Sequence, residues 1–136
     1  MAYGYYMKTP DSEKLTLNLG FVDLGSIDLL VLDGFYSNRS DFMRTAVRNQ
    51  LATHADVAKK ATQRLDLEIG LRTFSRADLE GAKTRNQRLA IRVLGLAIIA
   101  DDVSPELANE VIASITVLGA LHASPAVKAA LAGRLN

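Results

Sequence analysis

An alternating run near the N-terminus constrains the fold more than any other feature of this sequence. Polar and apolar side chains alternate strictly through the run, in the order Lys14, Leu15, Thr16, Leu17, Asn18, Leu19. A period of two is typical of a half-buried β-strand. A strand must pair its backbone N–H and C=O groups, yet no Asn-Gly or Asp-Gly turn leads from this run to a second alternating run. The strand that pairs with it is therefore not local.

Two helices are predicted after this strand, which stops at Gly20. Apolar residues at roughly helical spacing predict a first helix over residues 22–33, with Asp23 as its N-cap and Gly34 as the glycine that follows its last turn. A second helix is expected to begin near Asn38, because Asn38 and Asp41 have capping-box spacing ahead of an apolar stripe. Residues 1–12 show no period and are predicted to form a flexible arm.

The C-terminal part, residues 56–136, carries three similar segments. In each, an apolar strand-like run is expected to end at a glycine, and a helix is expected to begin at a serine N-cap. The glycines are Gly70, Gly95 and Gly119, and the serines are Ser75, Ser104 and Ser124. Proline takes the first helical position after two of these serines, as Pro105 and Pro125, and the middle segment has four extra residues between glycine and serine. This pattern predicts a strand/helix repeat module. The alternative, which stays open, is that the spacing is a coincidence of the residues that ordinarily end strands and begin helices.

The N-terminal elements bury too little surface to form a stable monomer of about 50 residues. An antiparallel pairing of two such strands about a two-fold axis solves this problem, because the leucines then face four helices and the polar residues face solvent. The predicted fold class is α+β, with an intertwined N-terminal dimer and the C-terminal repeat module. The outer face of such a ribbon suits the major groove of B-DNA, where lysine, threonine and asparagine can all bond base edges.

The stretches KLTLNLG and GFYSNRSDFMRTAVRNQL, separated by a helix that ends in a glycine, resemble the ribbon-helix-helix superfamily of bacterial repressors. That superfamily includes Arc, MetJ and the CopG-type plasmid regulators, and the resemblance covers residues 13–55. It implies that the outward strand residues read DNA bases and that the start of the second helix binds phosphate. Carried over by position, the base-reading residues are Lys14, Thr16 and Asn18, and the phosphate-binding residues are Ser37, Asn38, Arg39 and Ser40. A helix N-terminus binds anions through its free N–H groups, which supports the second assignment independently.

The charge distribution is uneven although the net charge is only +1. Residues 1–56 hold five Lys/Arg against seven Asp/Glu, whereas residues 57–92 hold nine against four. Phosphate binding at helix N-termini explains how an acidic N-terminal part binds DNA. The basic middle segment is interpreted as a solvated face rather than as a second DNA contact.

Several classes of protein are excluded or disfavoured. The chain has no cysteine and only two histidines, so thiol catalysis and iron–sulfur clusters are excluded and a metal site is not expected. No nucleotide-binding or hydrolase motif occurs, which predicts no enzymatic activity and no cofactor. The longest apolar run has eight residues, and the first ten residues do not resemble a secretory signal. We therefore expect a cytoplasmic protein that is associated with the nucleoid when bound to DNA.

The leading hypothesis is a dimeric, sequence-specific DNA-binding transcriptional regulator that acts as a repressor. Its C-terminal module is expected to join dimers into a higher homo-oligomer or to bind an effector. One alternative is an antitoxin-type component whose C-terminal part binds a protein partner. Another is a DNA-organising or partition protein that polymerises through its C-terminal repeats.

Overall fold

The computed structural model describes residues 12–135 and divides the chain into two compact units at the Ala55–Asp56 boundary. The N-terminal unit contains helices α1 (Phe21–Leu32) and α2 (Arg39–Thr53). Helix α3 (Ala55–Arg64) leads into the C-terminal unit, which mixes helix and strand. Its further elements, in chain order, are β1 (Glu68–Phe74), α4 (Arg76–Thr84), β2 (Leu89–Ile99), α5 (Pro105–Val111), β3 (Ile112–His122), α6 (Pro125–Ala130) and a 3₁₀ turn (Ala132–Arg134). The chain is thus of the α+β class. Among the helices described, none has the length and hydrophobicity that crossing a bilayer requires.

The predicted flexible arm over residues 1–12 lies outside the described residues, apart from Ser12. From Ser12 to Gly20 the backbone is in neither helix nor paired strand, and every residue is exposed. The leucines of the alternating run share this exposure, with Leu15 at 90%. Within one chain, the segment that the sequence predicts to be a strand therefore has no strand partner among residues 12–135.

Helix α1 begins earlier than its sequence pattern predicts. Its N-cap is Gly20, so the expectation that Asp23 caps it is wrong, and Asp23 lies in the first turn, where its charge favours the helix dipole. The C-terminal end agrees with prediction. Gly34 has φ +84°, its N–H donates to the Val31 carbonyl, and the Phe35 N–H donates to the Leu30 carbonyl. These two bonds form a Schellman motif, which requires the left-handed conformation that glycine adopts without strain.

Helix α2 is capped by Asn38, as the sequence predicts. The Asn38 side-chain oxygen accepts a hydrogen bond of 2.8 Å from the Asp41 N–H. Just before the helix, Tyr36 packs edge to face against Phe42, with ring centroids 5.1 Å apart. Within residues 12–55 only Ile27 is buried, at 6% exposure. The described part of the N-terminal unit therefore holds almost no core of its own.

The C-terminal unit is built on a parallel three-stranded sheet in the order β1-β2-β3. The register aligns Gly70 with Gly95 and Gly95 with Gly119. The glycines lie inside their strands, so the expectation that each strand ends at its glycine is wrong. Each has a positive φ, between +121° and +139°, which glycine adopts without the strain that a side chain would cause.

Helices α4, α5 and α6 begin at the predicted serine caps. The hydroxyls of Ser75, Ser104 and Ser124 accept hydrogen bonds from the amides three residues on. The four extra residues of the middle segment, 100–103, form a turn after β2 in which the Val103 N–H donates to the Ala100 carbonyl. The helices and one face of the sheet enclose the core, whose fully buried members include Leu79, Ile91, Ile99, Ile112, Ile115 and Leu131.

Candidate nucleic-acid interface

The predicted base-reading residues all lie on the exposed segment that precedes α1. Lys14, Thr16 and Asn18 alternate with leucines along it, so in an extended backbone they share one face. All three are exposed. Lysine offers three donors, asparagine offers donors and an acceptor, and threonine offers a hydroxyl and a methyl, which together match the groups on base edges in the major groove.

The leucines on the other face of this segment belong to a wide exposed apolar surface of the N-terminal unit. Leu17 and Leu19 are exposed, as are several apolar side chains of α1 and α2. The helix residues are Phe21, Val22, Leu29, Leu32, Val47 and Leu51. Exposed apolar surface on this scale marks an interaction site, because burying it removes a large hydrophobic area from water.

The second set of predicted site residues meets at the N-terminus of α2. Ser37 and Asn38 precede the helix, and Arg39 and Ser40 are its first two residues. Asn38 already satisfies the Asp41 N–H, whereas the backbone N–H groups of Arg39 and Ser40 have no acceptor within residues 12–135. Two free amides at the positive end of a 15-residue helix form an arrangement suited to a phosphate oxygen.

Two carboxylates that the sequence analysis did not assign to the site lie at this helix start. Asp41 accepts a hydrogen bond of 2.9 Å from the Ser37 N–H, which removes that amide from the donors that are free to bind phosphate. Asp28 on α1 accepts two bonds of 2.8 Å from the guanidinium of Arg39, through Nε and Nη2. The Arg39 hydrogen bond and charge lower the pKa of Asp28, so the pair is ionised at neutral pH.

This ion pair changes the role that the resemblance implies for Arg39. Two of its five N–H donors are held by Asp28, and three remain, on Nη1 and Nη2. The pair also links α1 to the first turn of α2. No sequence pattern marks Asp28 as its partner, because the two residues are eleven positions apart on different helices.

The basic segment over residues 57–92 is partly neutralised within the C-terminal unit, where four of its nine basic residues form ion pairs. Arg72 pairs with Glu68, Arg76 with Glu80, Lys83 with Glu110 and Arg92 with Asp66, all on the surface. Three basic residues on α3 make no ion pair within residues 12–135, namely Lys59, Lys60 and Arg64. Over the same residues there is no group of three or more His, Cys, Asp or Glu side chains placed to hold a metal ion.

Comparison with known proteins assigns the chain to a family. No curated protein and no solved structure matches it. A family model described as the Ribbon-Helix-Helix transcriptional regulator family matches residues 10–128, so the match extends from the alternating segment through the three parallel strands into α6. The chain therefore belongs to the Ribbon-Helix-Helix transcriptional regulator family, a family of DNA-binding proteins.

Proposed function

We propose that this protein is a dimeric repressor that reads DNA through a two-stranded ribbon formed by residues 14–19 of two chains. The observation that carries the proposal is the exposed alternating segment itself. Its leucines are unsuited to water, and its backbone has no strand partner among the described residues of its own chain. Antiparallel pairing with a second copy satisfies the backbone and covers the leucines at once.

In the proposed dimer, Lys14, Thr16 and Asn18 of both chains line the outer face of the ribbon. A two-stranded ribbon fits the major groove, and its two-fold symmetry predicts a DNA site with two related half-sites. The apolar side chains exposed on α1 and α2 pack beneath the ribbon against those of the second chain. This burial supplies the core that a single N-terminal unit lacks.

Phosphate binding is assigned to the start of α2, at Ser37, Asn38, Arg39 and Ser40. The free amides of Arg39 and Ser40 and the exposed hydroxyls of the two serines supply neutral donors. Because Asp28 holds one edge of the Arg39 guanidinium, that side chain contributes its remaining edge. Phosphate binding at the start of α2 thus depends mainly on hydrogen bonds. These bonds position the ribbon on the groove without reading sequence.

The C-terminal unit is proposed to join dimers to one another. Its sheet has exposed apolar side chains on β1 and β3, at Ile69, Leu71 and Leu118. Self-association would remove this apolar surface from water. A regulator whose dimers contact one another binds adjacent DNA sites cooperatively. Repression then follows from coverage of a promoter by a row of bound dimers.

Selection of bound DNA from a random pool with the purified full chain tests this function. Enrichment of a short motif with two-fold or tandem symmetry is the expected result. Binding without enrichment of any motif would contradict a sequence-specific regulator and would favour a DNA-organising role instead.

A further inference from the structure

The three aligned glycines of the sheet repeat the same close contact between neighbouring strands, which we call the glycine step. A Cβ atom added to Gly95 would overlap the carbonyl oxygen of Gly70, and one added to Gly119 would overlap the carbonyl oxygen of Gly95. Each of these glycines therefore packs its α-carbon against the carbonyl of the glycine on the preceding strand. Only a residue without a side chain permits this approach.

Gly70 has the same conformation without the same neighbour. Its φ of +121° equals that of Gly119, yet nothing lies within 4 Å of the place that its Cβ would occupy. On the other two strands this place holds the carbonyl of a preceding glycine. At the outer edge of β1 the glycine step therefore lacks its second strand, because no carbonyl occupies the place beside Gly70.

The free edges of β1 and β3 have matching stretches of residues that could pair with each other. On β3, Leu135 bridges to Ile115, and no strand covers the edge beyond it within residues 12–135. If the register from β1 to β2 to β3 is continued by one further strand, Glu68 of that strand falls opposite Val117 and Thr73 opposite His122. The paired residues of a second β1 would therefore lie beyond the bridge between Ile115 and Leu135.

The apolar rows on the sheet face opposite the helices also continue across such a junction. Buried Val93, Ala97 and Ile99 face the helices, so the alternate residues of the strands face away from them. One row of this outer face contains Ile69, Leu94 and Leu118, and the next contains Leu71, Leu96 and Ala120. Leu94 and Leu96 on the central strand are half-buried, whereas Ile69, Leu71 and Leu118 are 75%, 59% and 48% exposed. A neighbouring strand on each edge would cover these three side chains.

We propose that β3 of one chain pairs in parallel with β1 of a second copy, with Gly119 opposite Gly70. This inference rests on the proposed role of the C-terminal unit in self-association and specifies its partner, register and polarity. Because the two edges differ, the contact is head-to-tail and leaves a free edge at each end. Chains added in this way extend the sheet in one direction. Dimers held on neighbouring DNA sites are thereby linked into a row.

Cysteine cross-linking of the full chain tests the junction, since the natural sequence contains no cysteine. In the proposed register, Ile69 of one copy and Leu118 of the next are directly opposite, about 4.8 Å apart at Cα, within reach of a disulfide. Within one chain β2 separates them by about 9.6 Å, which is too far. The double variant Ile69→Cys/Leu118→Cys, oxidised at low protein concentration, should give a ladder of three or more linked chains. Either single variant has one thiol for each chain and can give no product beyond a linked dimer, so the ladder requires both cysteines. We expect at least about tenfold more of these products than from a double variant in which the two thiols are not opposite, because the junction raises the local thiol concentration.

The controls separate this junction from others. The double variant Ile69→Cys/Thr116→Cys shifts one thiol by two residues, about 8 Å from its partner, and should cross-link far less. Equal ladders from the shifted pair would overturn the register, and abundant dimers from Ile69→Cys alone would overturn the head-to-tail polarity in favour of β1 pairing with β1. An absence of ladders from a folded double variant would overturn the junction itself. If Ile69→Cys/Leu118→Cys does not fold, Leu71→Cys/Ala120→Cys tests the same register in the adjacent row.

The same reduced variants keep this inference distinct from the proposed function. Their affinity for a single selected DNA site reports on the N-terminal ribbon, which the cysteines do not touch. Specific DNA binding without ladders refutes only the junction, whereas ladders without specific DNA binding refute only the repressor function.

Discussion

Arg39 at the first position of α2 donates two hydrogen bonds, each 2.8 Å long, to the carboxylate of Asp28 on α1. The residue that the family resemblance assigns to phosphate is thus held by an acid of its own chain. In the proposed complex this acid moderates the attraction to DNA, because it lies beside the helix start that meets the phosphates.

Asp28→Asn is expected to strengthen DNA binding of all sequences. The substitution removes a negative charge near the phosphates and breaks the ion pair that holds the Arg39 guanidinium, so that this side chain is freer to contact them. The slope of log affinity against log salt should steepen by about one for each chain that contacts the DNA. Asp33→Asn is the matched control, since it removes an equal charge from the end of the same helix without freeing an arginine. An equal gain from both variants would mean that only net charge matters.

Acid is expected to weaken the C-terminal unit through Asp78. A hydrogen bond from the Ser75 backbone N–H, with help from the Ser75 hydroxyl, lowers the pKa of the Asp78 carboxyl below its ordinary value. A carboxyl with a lowered folded-state pKa stabilises the fold above its unfolded pKa of about 3.9, and this stabilisation is lost as the pH falls through the folded value. Denaturant unfolding of the wild type and of Asp78→Asn should therefore differ at pH 6 and converge as the pH falls through the lowered folded-state pKa of Asp78. A difference between them that is the same at all pH values would refute this. Asp102→Asn, in the turn after β2, serves as the control.

The glycine step predicts a graded loss of stability. Gly70→Ala places a side chain at a positive φ in open space, which costs about 1–3 kcal/mol of unfolding free energy. Gly95→Ala carries the same backbone strain and also forces a methyl group into the Gly70 carbonyl, so its loss should be larger. Denaturant midpoints of the two variants, compared at a concentration where dimers are not joined to one another, measure the difference. Equal losses would show that the close approach of the strands contributes nothing.

The basic residues of α3 are expected to contribute little to DNA binding. These residues, Lys59, Lys60 and Arg64, are exposed and make no ion pair within the described chain. In the proposed complex, however, DNA is contacted by the ribbon and by the start of α2. The triple variant in which glutamine replaces these three residues should change the salt slope by less than one. A slope shallower by about three for each chain would place α3 on the DNA backbone. The matched control is the variant Arg44→Gln/Arg48→Gln, which removes two exposed charges from α2.

Local chemistry explains which features the sequence predicted correctly. The caps at Asn38, Ser75, Ser104 and Ser124 and the glycine after α1 depend on residues within one turn of a helix, and all were predicted. The continuation of the strands through their glycines was missed, because it depends on the neighbouring strand 24 or 25 residues away. The Asp28–Arg39 pair was missed for the same reason. The start of α1 was misplaced because an acidic residue in the first turn resembles an N-cap. The base-reading and phosphate-binding assignments stay predictions, since they concern DNA and a second chain.

The contribution of the leucine face of the ribbon is separable from that of its polar face. Leu17→Ala should lower thermal stability and dissociate the dimer, because it removes apolar surface from the proposed interface. Replacement of Lys14, Thr16 and Asn18 by alanine should leave thermal stability nearly unchanged. The leucine variant thus provides the contrast against which the polar variant is judged.

The most direct test of the central claim is the affinity of that triple alanine variant for a selected DNA site and for random DNA. Each lost base contact is worth about 1–3 kcal/mol of discrimination, so the ratio of specific to random binding should fall by at least about two orders of magnitude. Affinity for random DNA should change far less, since phosphate binding at the start of α2 persists while one lysine is lost. A variant that stays folded and keeps the wild-type specificity ratio would show that residues 14–19 do not read DNA.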